Sequence, residues 1–296
     1  MRDFMTNVFL KQREDFEKLT SSRNEHLVCP KSIEEFKDIS YSENNRSSNR
    51  LDIFRPKNTQ DKVLPVIINI HGGGMILGSK EFNRSYCIQL AKSGFLVFSV
   101  EYGLVPESKV FDQFRDISTA MDTIKDLIAQ YHGDPLHVYM VADSGGAYIA
   151  IYTVAMQSCP ALANAAKVTP STLKINALGL ISGMFYTTRF DKIGLFLPKY
   201  LYGKWYKKSS FAPYINPEHP DIIKALPPCY LVTSHNDMLR RYTLDFEKAL
   251  TRHNITHKLT NYPSNKKLTH AFSVFEPFWT ISVKEMNTML NFLRKF

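Results

Sequence analysis

The sequence predicts an α/β chain: a mostly parallel central sheet with helices on both faces and a helical cap over one edge. Short apolar runs alternate with stretches of helical periodicity, and one segment too long for an ordinary connection interrupts that alternation. The opening MRDFMTNVFLKQREDFEK mixes both charge signs through apolar positions, which fits neither a secretory leader nor a transmembrane span. YSENNRSSNR (41–50) is the most polar stretch and separates that charged segment from the first convincing strand. VLPVIINI (63–70), a continuous apolar run ending in glycines, reads as a strand buried on both faces, and FLVFSVEY (95–102) is another. Phe114, Ile117, Met121, Ile124, Ile128 and Tyr131 repeat at three and four, one face of a helix over 111–131. HGDP (132–135) stops that helix, and LHVYMVA (136–142) follows as a strand. AYIAIYTVAMQS (147–158) reads as a buried helix ending before Pro160. NALGLIS (176–182), PCYLVTS (228–234) and HKLTNY (257–262) are further strands. Ile281, Met286, Met289, Leu290 and Leu293 line one side of a C-terminal helix.

These elements divide the chain into an N-terminal cap segment (1–45), a first core part (46–182), a cap insertion (183–227) and a second core part (228–296), together one domain. The insertion is rich in Phe, Tyr, Trp and Pro; Phe185, Tyr186, Phe196, Tyr200, Tyr202, Trp205 and Tyr206 suggest an apolar, aromatic cap. A cap over the C-terminal ends of parallel strands sits where such sheets bind ligands.

Hydrophobic residues at 44% and charged residues at 22% exclude a disordered chain. Cys29, Cys87, Cys159 and Cys229 are widely spaced and form no C-x-x-C pair, so they read as thiols of a reducing compartment. A soluble, cytoplasmic protein is the expectation. The net charge is +9, concentrated in KYLYGKWYKK (199–208). Interleaved basic and aromatic residues invite a nucleic-acid or membrane reading. No nucleic-acid motif accompanies them, which favours the solvated face of a lid, with no stable membrane insertion.

The stretch VADSGGA (141–147) places Ser144 directly after a strand and directly before a helix. A sharp turn there lifts a hydroxyl clear of the sheet, provided the residues two before and two after are small. Ala142 and Gly146 are. The plainer alternative is a serine capping the next helix. His71-Gly72-Gly73-Gly74 follows the strand at 63–70, and three successive glycines suit a backbone that presents N–H groups to a developing oxyanion.

Together these motifs resemble the α/β-hydrolases of the hormone-sensitive-lipase-like group of esterases. That family runs HGGG, a D-Y-x-L-x-P-E-like strand exit, G-D-S-A-G-G, then an Asp and a His. Here the exit is EYGLVPE (101–107), the elbow ADSGGA, the Asp motif SHNDMLR (234–240) and the His motif THAFSVF (269–275). The resemblance runs from about residue 50 to the C-terminus; residues 1–45 and 183–220 match poorly. It implies an α/β-hydrolase fold with Ser144 as nucleophile, His270 as general base and Asp237 orienting the histidine. The residues support this independently: Asp237 lies just past a strand and His270 in a loop after the last one. Gly73, Gly74 and Gly145 would supply oxyanion-hole amides, although relatives usually carry alanine at the position of Gly145. His71, Asp143 and Glu107 look like supports. Rivals for the acid and base are Asp245, His235, His253 and His257.

The function so implied is a serine carboxylesterase acting on short- to medium-chain acyl esters, acetyl esters included, through an acyl-enzyme. Its partner is a small-molecule ester, no cofactor or metal is called for, and a homo-oligomer stays open. The alternatives are a non-catalytic ligand-binding protein on the same scaffold, an amide hydrolase and an acyltransferase.

Overall fold

Isoleucine and valine dominate the runs that pair most extensively, and the strands they form set the frame. In the computed structural model, which describes residues 4–44, 46–57, 59 and 61–296, helix α1 (Phe4–Asn24) leads into strands β1 (Ile33–Ser40), β2 (Arg50–Pro56) and β3 (Leu64–Ile70). Next come α2 (Arg84–Lys92), β4 (Leu96–Val100), α3 (Val110–Gln130), β5 (Gly133–Asp143) and α4 (Ser144–Met156). After α5 (Pro160–Ala166) and β6 (Ala177–Ile181) lie three short helices, α6 (Lys192–Phe196), α7 (Pro198–Tyr202) and α8 (Pro220–Ile223). The chain closes with β7 (Cys229–Ser234), α9 (Arg240–Arg252), β8 (His257–Tyr262), α10 (Phe272–Phe275) and α11 (Thr280–Leu293).

The strands form one sheet in the order β1-β2-β4-β3-β5-β6-β7-β8. β1 and β2 pair antiparallel, as do β2 and β4; every pairing from β4 to β8 is parallel. Side chains alternate between two cores, as the pleat requires. Val66, Ile68, Val138, Met140 and Ala142 join the core that includes Phe114 and Ile117 of α3, Tyr148 of α4 and Phe246 of α9. Ile67, Tyr139 and Val141 point the other way, to Tyr86 and Leu90 of α2 and Met286 and Leu290 of α11. The α/β expectation therefore holds, with helices on both faces.

Two strands escaped the sequence reading. Residues 33–40, grouped above with the N-terminal cap segment, form the edge strand β1, while residues 1–3 and 45 of that segment lie outside the described residues. β1 carries Glu34, Glu35, Lys37 and Asp38, a charged strand of the kind that protects a sheet edge. β2 hides its apolar pattern behind Asp52, which is buried because Lys80 Nζ sits 2.8 and 2.9 Å from its two oxygens. The elbow helix differs too: α4 begins at Ser144 itself, and all thirteen of its residues are buried, so it shows no amphipathic stripe. Among the described residues no helix is long and apolar enough to cross a membrane.

Candidate active site

Four strand ends converge on one edge of the sheet. β3 ends at Ile70 and hands over to the glycine loop; β5 ends at Asp143, next to Ser144; β7 and β8 end ahead of Asp237 and His270. Ser144 sits at φ +48, in the left-handed region that β-carbons resist. Its carbonyl accepts the N–H of Met184 at 2.8 Å, which ties the turn to the segment after β6. Gly146 is required here, because a Cβ would come within 2.4 Å of Ile70 O and 2.5 Å of His71 O. Ala142 is buried in register with Ile70 and Leu180, and the elbow forms with its methyl group in place.

Ser144 Oγ lies 3.0 Å from His270 Nε2, and His270 Nδ1 lies 2.7 Å from Asp237 Oδ1. A carboxylate only accepts, so Nδ1 carries the proton and Nε2 is left to receive one from the serine. Asp237 is buried and accepts from Leu239 N–H at 2.9 Å and Thr233 Oγ1–H at 2.8 Å. Burial alone pushes its carboxyl up, but the hydrogen bonds from His270, Leu239 and Ser182 and the histidine's charge outweigh that and hold it below the usual range. The rival residues lie elsewhere. His235 is exposed, His253 ends α9, His257 Nε2 is 3.4 Å from Glu247, and Asp245 pairs with Arg189 at 2.7 Å.

Beside the serine, Gly73 and Gly74 take φ +100 and +61. Among the described residues their amides donate to no acceptor, and Gly145, in the first turn of α4, has no intrahelical one. A Cβ on Gly145 would stand 2.9 Å from Gly74 N and Cα and Met75 N, so the loop lies closer to α4 than alanine allows. The loop is braced from three sides. His71 Nδ1 is 2.8 Å from Gly72 O and Nε2 is 3.0 Å from Glu101 Oε1, with the ring stacked 4.3 Å from Tyr102. Both ring nitrogens face acceptors, so both donate; burial disfavours the charge, but Glu101 outweighs it and raises the pKa. Asp143 Oδ1 accepts from Gly72 N–H at 3.1 Å and Asn83 Nδ2 at 2.9 Å, while burial raises its pKa. On the third side, Arg13 of α1 donates to Ile76 O at 3.0 Å, Val105 O at 2.6 Å and Glu107 at 3.0 Å. Ile76 and Leu77 in turn donate to Gly73 O.

These groups open onto a cavity of about 740 Å³. Phe16 and Leu19 of α1 roof it; Phe82, Met184, Ile193 and Phe275 form much of the apolar wall. Phe16, Phe82 and Phe275 pack in a row, with centroids 4.4 and 5.0 Å apart. α1 is fastened at its far end by Arg23, which donates to Phe275 O at 2.6 Å. The aromatic residues singled out in the cap insertion do not line this cavity. Phe185 stacks on Phe246 at 4.0 Å, Tyr202 bonds Tyr148 and Thr187 at 2.6 Å each, and Trp205 faces solvent. Arg13, Phe16, Phe82 and Phe275 were not singled out for the site. Glu101 opens the EYGLVPE motif and Phe275 closes THAFSVF, but α1 carries only a mixed charged pattern. A larger cavity of about 800 Å³ beside α4 and α5 contains none of these groups.

Comparison with known proteins gives the same architecture. The family described as alpha/beta hydrolase fold matches residues 67–273. A probable isoprenylcysteine alpha-carbonyl methylesterase of Arabidopsis thaliana is 30% identical over 198 residues, covering 64% of this chain and 41% of that one. A 3-O-acetylpapaveroxine carboxylesterase of Papaver somniferum is 34% identical over 126 residues, 40% of each chain. The chain thus spans less than half the length of these curated relatives. Esterase B from Lactobacillus rhamnosis superposes with a TM-score of 0.88 at 21% identity, over 98% of this chain and 95% of its own, a likeness of fold.

Proposed function

The chain belongs to the alpha/beta-hydrolase-fold family, and from that premise we propose that it is a serine carboxylesterase cleaving short- to medium-chain acyl esters, acetyl esters included. One observation carries the reading: the unbroken Ser144–His270–Asp237 hydrogen-bond relay at the floor of an apolar cavity. Ser144 attacks the ester carbonyl as His270 Nε2 takes its proton, and buried Asp237 stabilises the imidazolium that results. The carbonyl oxygen, now negative, is received by the amides of Gly73, Gly74 and Gly145; each such donor is typically worth about 10²–10³-fold in rate. His270 returns the proton to the departing alcohol, and water repeats the sequence on the acyl-enzyme.

His71 and Asp143 act as supports of the glycine loop, not as reactants. α1 and residues 183–227 together cap the cavity. The relatives named for a methylesterase and for an acetylated compound support a small group on one side of the scissile bond. Hydrolysis of p-nitrophenyl esters from acetate to decanoate tests the reading. Rapid turnover of the short esters by the wild type, abolished in Ser144→Ala, is expected, and the length at which turnover falls measures the acyl pocket. Wild-type turnover no faster than that of the variant refutes the proposal.

A further inference from the structure

The mouth of the cavity and the segment beside it carry apolar side chains that stay largely exposed to solvent. Leu19 and Met238 line it, yet are 57% and 79% exposed. Ile193 of α6 lines it as well, and its neighbours Phe190, Leu195 and Phe196 are 97%, 59% and 49% exposed. Farther along the same cap segment, Trp205 is 68% exposed. Single exposed apolar residues are ordinary; two at one opening, with three more on the short segment that carries the lining residue Ile193, are not.

Cations accompany them. Lys192, Lys204, Lys207 and Lys208 are exposed and have no acidic partner among the described residues, and Lys204 and Lys208 stand 5.2 and 5.9 Å from the Trp205 ring. Asp191, the acidic residue of this stretch, is occupied by Gly194 N–H and the Tyr242 hydroxyl. The whole chain adds a net charge of +9.

We propose that this rim, together with the basic cap segment that follows α6 and α7, docks reversibly on an anionic phospholipid bilayer, with the apolar side chains in the interface and the lysines against the headgroups. Aliphatic Leu19, Leu195 and Met238 suit acyl chains, whereas single-stranded nucleic acid calls for a run of stacking platforms. Resting on the esterase reading, the consequence is that the substrates are amphiphilic esters partitioned at that surface, entering the cavity directly beneath the rim.

Co-sedimentation with vesicles tests the docking without any turnover. Phosphatidylcholine vesicles containing phosphatidylglycerol should retain the protein at low salt and release it at high salt; phosphatidylcholine alone should retain little. Phe190→Ser and Trp205→Ser should each weaken retention several-fold, and each of Lys204→Gln, Lys207→Gln and Lys208→Gln by roughly fivefold. A blue shift of Trp205 fluorescence, recorded in Trp279→Phe, should accompany binding. The variants should hydrolyse water-soluble p-nitrophenyl acetate like the wild type if the esterase reading holds. Failure to sediment with anionic vesicles at low salt overturns the proposal. So does binding that the lysine changes abolish and the apolar changes leave intact, with equal retention on single-stranded DNA, because a polyanion would then be the partner.

Discussion

Replacing Gly146 by alanine measures how much of the site depends on one close approach. The new Cβ would sit 2.4 Å from Ile70 O and 2.5 Å from His71 O, where ordinary contact begins at 3.4 Å. Both oxygens belong to backbone at the end of β3, so the start of α4 has to retreat. A retreat of about 1 Å stretches the 3.0 Å Ser144–His270 bond beyond hydrogen-bonding range, and a misplacement of that size costs about 10²-fold in rate. Overpacking should also lower stability by about 1–3 kcal/mol. The assay is steady-state hydrolysis of p-nitrophenyl acetate, normalised to sites titrated with diethyl p-nitrophenyl phosphate so that misfolded protein is not counted. Gly74→Ala is the contrast: its Cβ would find Ile76 Cγ1 at 3.9 Å, leaving the left-handed φ of +61 as the burden. Normal kcat per titrated site in Gly146→Ala would refute the argument that this contact sets the position of the serine.

Glu285 tests the pH dependence of stability. Burial pushes its carboxyl from 4.5 to about 7 despite hydroxyl donors on Tyr262 and Tyr230, and Oε1 has no partner among the described residues. Between those values the folded chain holds a proton that the unfolded chain has lost, so stability falls as pH rises through the window and levels off above it. Glu285→Gln should raise Tm at pH 8, with the advantage, on the order of 3 kcal/mol, vanishing near pH 4.5; an equal gap at both pH values would contradict this. Arg13→Ala deprives Ile76 O and Val105 O of their guanidinium donor. It should lower kcat on p-nitrophenyl acetate by about tenfold with KM little changed, and Arg13→Lys should recover only part, since an ammonium cannot span both carbonyls. An unchanged kcat would show that the loop holds without α1. Cys87 is buried, its thiol pushed up to about 12, and burial raises Cys229 as well. Both should resist iodoacetamide in the native protein and react on unfolding.

What the sequence disclosed follows from how local each signal is. β3, β5 and β7 are buried on both faces and announce themselves as apolar runs; Ser144 and Asp237 sit beside strand ends, and His270 in the loop after the last strand. Gly73 and Gly74 were legible because consecutive glycines have few other uses. β1 and β2 were lost because an edge strand is charged for protection and Asp52 is buried only by virtue of Lys80, a partner distant in sequence. Arg13, Phe16 and Phe82 were lost for the same reason: their meaning lies in what they touch, and α1 carries little hydrophobic periodicity of its own. The aromatic-rich insertion reads as an apolar cap with no single specificity residue in it, and its buried rings do pack rather than line the cavity. Phe185 and Tyr202 serve the packing of the cap, whereas the cavity takes its rings from Phe16, Phe82 and Phe275.

The fastening of α1 to Phe275 joins residues 252 positions apart. On a ribosome α1 emerges well before α10, and its roofing side chains have little to cover until that later segment follows. Such distant pairings form late, because their loop-closure cost precedes any gain. A nascent or truncated chain ending before residue 270 would therefore possess the serine but neither its base nor a closed roof. The order of synthesis thus leaves the proposed relay and its roof incomplete until the segment carrying His270 and Phe275 has been made.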